Sequence, residues 1–126
     1  MALTALVADD DAPVRNMIRE MLESRGVRVI TAKDGLEAIA IFRKEHVDLV
    51  ITDFLMPRVD GMQVVRGIRM SGEKGKIPLV LMSAISKGHI VDNQADKPDY
   101  YVNKPFKPRK MEKLLEKVLA GIDKKE

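Results

Sequence analysis

The stretch LVADDDAP, Leu6–Pro13, sets an apolar run directly against three consecutive aspartates and then a proline. Carboxylates that close repel one another, by roughly 3 kcal/mol per pair at about 5 Å and an effective dielectric near 20. An apolar run that stops at charge and is followed by Pro reads as a buried strand, an exposed rim and the first turn of a helix. That order, strand then rim then helix, repeats along the rest of the chain.

Short apolar runs recur at Leu3–Ala8, Val27–Thr31, Val47–Thr52, Ile77–Met82 and Tyr100–Val102. Their length suits strands buried on both faces of a parallel sheet. Between them Val14, Met17, Ile18, Met21 and Leu22 keep helical spacing, with Pro13 in the first turn and Gly26 placed to end the helix. Leu36, Ala38, Ile39, Ile41 and Phe42 give a second helix, and Met62, Val65, Ile68 and Arg69 a third. The last carries a stripe of Met111, Leu114, Leu115, Val118, Leu119 and Ile122, with Lys110, Lys113 and Lys117 on its other side. Methionine at such spacing is core-filling. Ser86–Asp99 is poor in apolar residues and is read as a short fourth helix. Strand and helix alternating five times imply right-handed crossovers and a doubly wound α/β sheet with helices on both faces. Ligands of such folds bind beyond the carboxyl ends of the strands, where strand order reverses.

The bulk composition narrows the function. At 126 residues, 45% apolar and 33% charged, the chain is expected to form a single domain over residues 1–126. A stand-alone protein and one domain of a longer chain both suit that length. The absence of cysteine excludes a disulfide framework, a thiol nucleophile and a Cys-based zinc site. No apolar run reaches the length of a membrane span, Met1–Ala8 is too short for a signal peptide, and a cytoplasmic location is expected. The net charge of +3 is spread along the chain and clusters only from Lys104 onward, which reads as a solvated helix face, with no direct nucleic-acid contact.

The strand ends hold the chemistry: Asp9, Asp10 and Asp11 after the first run, Asp53 after the third, Ser83 after the fourth and Lys104 after the fifth. Singly, each is an ordinary cap, turn or loop residue. Together they bring a cluster of carboxylates, a hydroxyl and an ammonium to one rim. Clustered Asp oxygens without His or Cys suit a hard cation, Mg²⁺ above all. A carboxylate can also attack phosphorus to give an aspartyl phosphate, with Lys and Ser on the phosphoryl oxygens. Asp11, beside Ala12 and Pro13, reads as a helix cap. His46 and His89 have no second ligand at useful spacing and read as surface residues.

Four segments in this order, LVADDD (Leu6–Asp11), VITDFLMPRVDG (Val50–Gly61), LVLMSA (Leu79–Ala84) and YVNKPF (Tyr101–Phe106), resemble the response-regulator receiver domain of two-component signalling, of the chemotaxis-regulator type. The resemblance implies a flavodoxin-like (βα)5 fold with strand order 2-1-3-4-5. It implies that Asp53 is the phosphoacceptor and that Mg²⁺ is held by Asp9, Asp10, Asp53 and the backbone carbonyl of Leu55. In that set Asp10 is the direct ligand of the acidic pair and Asp9 acts mostly through water. Ser83 and Lys104 would contact the phosphoryl group, with Ala84 leaving space, and Tyr101 would be the aromatic switch that moves with Ser83. The Lys104–Pro105 bond is expected to be cis.

The implied partners are a histidine kinase or phosphotransfer protein, and a downstream protein or output domain on the face of the fourth helix, fifth strand and fifth helix. The domain would catalyse its own phosphorylation and dephosphorylation without turning over a separate substrate. The sequence departs from the pattern at NQADKPD, Asn93–Asp99, where the family has an Ala-rich helix ending in Gly-Ala. Leu55 and Ile85, at the two positions that tune phosphate lifetime in the family, are both apolar, which implies a long-lived phosphoryl group. Two other readings share the chemistry. One is a haloacid-dehalogenase-like Mg²⁺-dependent phosphatase, whose D-x-D spacing is met by Asp9 and Asp11. The other is a receiver-like scaffold that is not phosphorylated. A flavodoxin-like phosphate-binding module fits the sheet, but carboxylates in its first loop would repel the ligand.

Overall fold

Within each apolar run, alternate residues serve opposite sides of the sheet. The computed structural model describes residues 2–84 and 97–125. Its five strands are β1 (Thr4–Ala8), β2 (Arg28–Ala32), β3 (Leu49–Asp53), β4 (Leu79–Ser83) and β5 (Tyr100–Asn103). They pair in parallel in the order β2-β1-β3-β4-β5. The helices are α1 (Ala12–Glu23), α2 (Gly35–Lys44), α3 (Gly61–Arg69) and α4 (Pro108–Lys125).

Ala5, Val7, Leu49, Ile51, Val80, Met82 and Val102 pack on one face with Ile18 and Leu22 of α1 and Met111, Leu115 and Val118 of α4. Leu6, Ala8, Val50 and Leu79 pack on the other with Ala38 and Phe42 of α2 and Val64, Val65 and Ile68 of α3. The doubly wound architecture is thus written in the period-two alternation of the strands and the apolar stripes of the helices. Continuous burial holds for β1, β3 and β4. β2 and β5 are half-exposed, because each is an edge strand with a single neighbour.

Gly26 ends the first helical segment as expected. Its φ is +79°, and Val27 N donates to Leu22 O (3.1 Å) while Gly26 N donates to Glu23 O (3.0 Å), a Schellman closure. The cap read at Asp11 needs correction. Asp11 holds the N-cap position, but its side chain makes no capping hydrogen bond. Pro13 at the second helical position has no N–H to donate there. The working caps are at Asp34, which accepts from Glu37 N (2.8 Å), and at Asp60, which forms a reciprocal capping box with Gln63 (2.9 Å each way).

A 3-10 turn at Gly72–Gly75, not anticipated from the sequence, leads from α3 toward β4. The fourth helix expected in Ser86–Asp99 lies outside the described residues up to position 96, and Lys97–Asp99 run directly into β5. Among the described residues no helix is long and apolar enough to cross a membrane.

Candidate functional site

Register brings the strand-end residues together. Ala8 of β1 pairs with Thr52 of β3, so the next residues, Asp9 and Asp53, leave adjacent strands side by side. Asp53 pairs with Met82 and Ser83 with Asn103, which sets Ser83 and Lys104 at the same rim. Asp9, Asp53 and Lys104 continue the alternation of Val7, Ile51 and Val102, all of which face the α1 and α4 side.

The side chains meet as that geometry requires. Lys104 Nζ donates to Asp9 Oδ2 at 2.8 Å and lies 3.3 Å from Asp53 Oδ1. Asp9 is fully buried, its Oδ1 accepts from Asp11 N (2.9 Å), and its carbonyl accepts from Arg15 Nη1 (2.8 Å). Asp53 is buried, and its Oδ1 also accepts from Phe54 N (3.0 Å). Asp10 is exposed, yet Asp9, Asp10 and Asp53 each offer a carboxylate oxygen within 4.8 Å of the others. An all-oxygen, all-anionic set of this size fits a hard divalent cation.

Electrostatics sharpen the picture. Burial, and then the charge of Asp9, push the Asp53 carboxyl up to about 6, although Lys104 and the Phe54 amide work the other way. At neutral pH Asp53 is therefore ionised but held at a cost. Burial alone would lower the pKa of Lys104; its hydrogen bond to Asp9 and the charges of Asp9 and Asp53 outweigh it and hold the ammonium above its ordinary value.

Ser83 is buried at the end of β4, and its carbonyl accepts from Lys104 N (2.8 Å). The Lys104–Pro105 bond is cis. Tyr101 is half-buried against Met62 and Leu81. Leu55 turns its side chain to solvent, 61% exposed. His46 is a surface residue paired with Asp48 (2.9 Å), while Ile85 and His89 lie outside the described residues. A cavity of about 570 Å³ beside Arg69, Ile77, Asp99 and Tyr100 is at the opposite ends of β4 and β5 from the carboxylates. A smaller one, about 320 Å³, opens beside Asp11, Met17, Lys104 and Phe106.

Two groups at the rim were not singled out from the sequence. A Cβ on Gly61 would fall 2.3 Å from the carbonyl oxygen of Asp53, so only glycine lets α3 start this close to the end of β3. Arg58, in the loop after Asp53, pairs with Asp34 at the start of α2 (2.6 Å). The Asp-Gly pairs at 34–35 and 60–61 are the sequence signal for both helix starts.

Comparison with known proteins agrees with this architecture. Residues 5–116 match the response regulator receiver domain family. A probable transcriptional regulator, ycf27, of Porphyridium aerugineum is 36% identical over 121 residues, covering 94% of this chain and 49% of the relative. The chain thus spans about half the length of the curated relatives it matches. The chemotaxis response regulator CheY4 of Vibrio cholerae superposes with a TM-score of 0.85 at 29% identity, covering 94% of this chain and 99% of that one. The receiver domain of the sensor histidine kinase PA1611 of Pseudomonas aeruginosa shares the fold, with a TM-score of 0.81 at 24% identity over 95% and 99% of the two chains. That structure has a magnesium ion coordinated in its active-site cleft. From its sequence, its sheet and its rim of carboxylates, the chain belongs to the response regulator receiver domain family of two-component signalling.

Proposed function

We propose that residues 1–126 form one receiver domain that works as a phosphoacceptor switch, in which Asp53 takes a phosphoryl group from a partner in the cytoplasm. The observation that carries the reading is the contact of Lys104 Nζ with the carboxylates of both Asp9 and Asp53. A carboxylate oxygen of Asp53 forms a bond to phosphorus as the donor's P–N bond, in a phosphohistidine, or P–O bond, in acetyl phosphate, breaks. The bonding pair leaves with the donor atom, and a departing imidazole takes up a proton. Asp53 must be ionised to attack, and at neutral pH a carboxyl near 6 is.

Asp9, Asp10, Asp53 and the Leu55 carbonyl would hold Mg²⁺, whose charge offsets that developing on the phosphoryl oxygens. The magnesium coordinated in the Pseudomonas aeruginosa receiver domain supports that assignment by analogy. Lys104 orients a phosphoryl oxygen and neutralises it, and the Ser83 hydroxyl donates to another. The added charge biases an existing equilibrium, with Ser83 and Tyr101 carrying the change to the β5 and α4 surface.

The donor is a histidine kinase or phosphotransfer protein, and the receiver of the signal is a protein or an attached output domain. The name of the ycf27 relatives supports an output in transcription, carried by sequence beyond the matched half. Labelling with [³²P]acetyl phosphate tests the reading. Label should require Mg²⁺, be released by hydroxylamine as an acyl phosphate is, and be absent from Asp53→Asn; Mg²⁺-independent or hydroxylamine-resistant label contradicts it.

A further inference from the structure

The loop between Asp53 and the Asp60 cap of α3 carries Leu55, and its middle is held in an unusual way. Val59 N donates to Pro57 O (2.8 Å) around Arg58, whose φ is +69°. A three-residue turn with its central residue at positive φ is the rare, strained form. Glycine would occupy that position at no steric cost, yet the sequence has arginine. Strain of this kind persists where surrounding contacts over-determine it.

Those contacts come from the start of α2. Arg58 Nη2 donates to Asp34 Oδ2 at 2.6 Å, and Asp34 is buried although the arginine side chain is 62% exposed. The other oxygen of Asp34 caps α2 by accepting from Glu37 N (2.8 Å). The helix-capping bond first, and then Arg58, hold the Asp34 carboxyl below its ordinary value, so it is an anion at neutral pH. Beside the ion pair, a Cβ on Gly35 would fall 2.1 Å from Val59 O, so the backbones of the loop and of α2 touch directly.

We infer that the Asp34–Arg58 ion pair is a latch that docks the loop on the start of α2 and so fixes the Leu55 carbonyl beside Asp53, which makes Arg58 a positioning residue for the cation and the phosphoryl group. The role at the site rests on the phosphoacceptor reading; the latch itself does not. Its two ends lie 24 residues apart, in different βα units. The position of a group at the acceptor is therefore set by a helix that contributes nothing to the rim.

The test uses Asp34→Asn, which keeps a good N-cap, Arg58→Asn, which tolerates positive φ, their double variant, and Arg58→Lys. Two quantities are measured: hydrogen exchange of the Val59 and Gly61 amides in metal-free protein, and the Mg²⁺ dissociation constant by calorimetry. The latch predicts faster exchange at these amides in both Asn variants, with β1 and β4 amides unchanged. It also predicts Mg²⁺ binding weakened by about 3- to 10-fold, at or below the low end for outer-shell partners. The double variant should be no weaker than the worse single, and Arg58→Lys should recover most of the affinity. Unchanged exchange overturns the latch. Faster exchange with Mg²⁺ affinity within about twofold of wild type overturns its role at the site, since additive errors of that size carry no coupling. A wild-type chain that binds no Mg²⁺ overturns the phosphoacceptor reading instead, and exchange alone then decides the latch.

Discussion

Replacing Asp53 by Asn should stabilise the metal-free protein at pH 8, even though it removes the proposed acceptor. Asp53 is charged there against its surroundings: its side chain is 9% exposed, and Asp9 stands beside it. Raising a carboxyl from 3.8 to about 6 corresponds to about 3 kcal/mol, at 1.36 kcal/mol for each tenfold change. Water reaches the carboxylate at the strand end, and screening leaves roughly 1–2 kcal/mol of that. Because the folded pKa lies above the unfolded one, the stabilisation that a protonated Asp53 gives is fully present below pH 3.8 and is lost as pH rises through about 6. Asn is neutral throughout and keeps an oxygen for the Phe54 amide.

Denaturant unfolding in EDTA should therefore show the Asn variant ahead by about 1–2 kcal/mol at pH 8, roughly 3–8 °C in melting temperature for a domain of this size. The gap should shrink toward zero by pH 4. Saturating Mg²⁺ should close it at pH 8, by stabilising the wild type more. An Asn variant no more stable than wild type at pH 8, or a gap independent of pH, refutes the reasoning.

Three further outcomes follow from the same geometry. Lys104→Met leaves the fully buried Asp9 without its cation, which should cost about 3 kcal/mol or more in denaturant unfolding and lower the acetyl phosphate labelling rate by about 100-fold. Gly61→Ala drives a Cβ to 2.3 Å from the Asp53 carbonyl oxygen, whereas a Cβ on Gly67 meets nothing closer than Ile39 Cδ1 at 3.8 Å. Thermal melts should show the first destabilised, by about 2–3 kcal/mol, as strongly overpacked sites are, and the second stabilised by about 0.5–1 kcal/mol. With apolar Leu55 and Ile85 at the two positions to which the receiver resemblance assigns the tuning of phosphate lifetime, label on the Mg²⁺-bound protein should decay over minutes or longer; complete loss within seconds contradicts it.

The site was legible because its parts obey a strict period. Once Val7, Ile51 and Val102 are core residues on one face, period two sends Asp9, Asp53 and Lys104 to that same face at the carboxyl rim of the sheet. Which strands are neighbours is not contained in any single run; the order came from the resemblance and from the rule of the reversed strand order. What sequence did not reveal depends on partners far along the chain. Arg69, read as part of the third helical stripe, instead turns its guanidinium to Gly75 O (2.9 Å), Ile77 O (2.8 Å), Lys97 O (3.1 Å) and Asp99 Oδ2 (2.9 Å). Its carbon stem suits the apolar stripe and its head ties α3 to the entries of β4 and β5. Arg58 at positive φ has no local signature either, since the anion that holds it belongs to α2. The triple aspartate divides accordingly: Asp9 and Asp10 belong to the rim, while Asp11 starts a helix that it does not cap through its side chain.

Intact-mass measurement after incubation with acetyl phosphate, with and without Mg²⁺, on wild type and Asp53→Asn tests the central claim most directly. The account predicts one phosphate-sized gain in wild type with Mg²⁺, and none without Mg²⁺ or in the Asn variant. A single phosphate-sized gain that survives in Asp53→Asn would move the acceptor to another residue and contradict it.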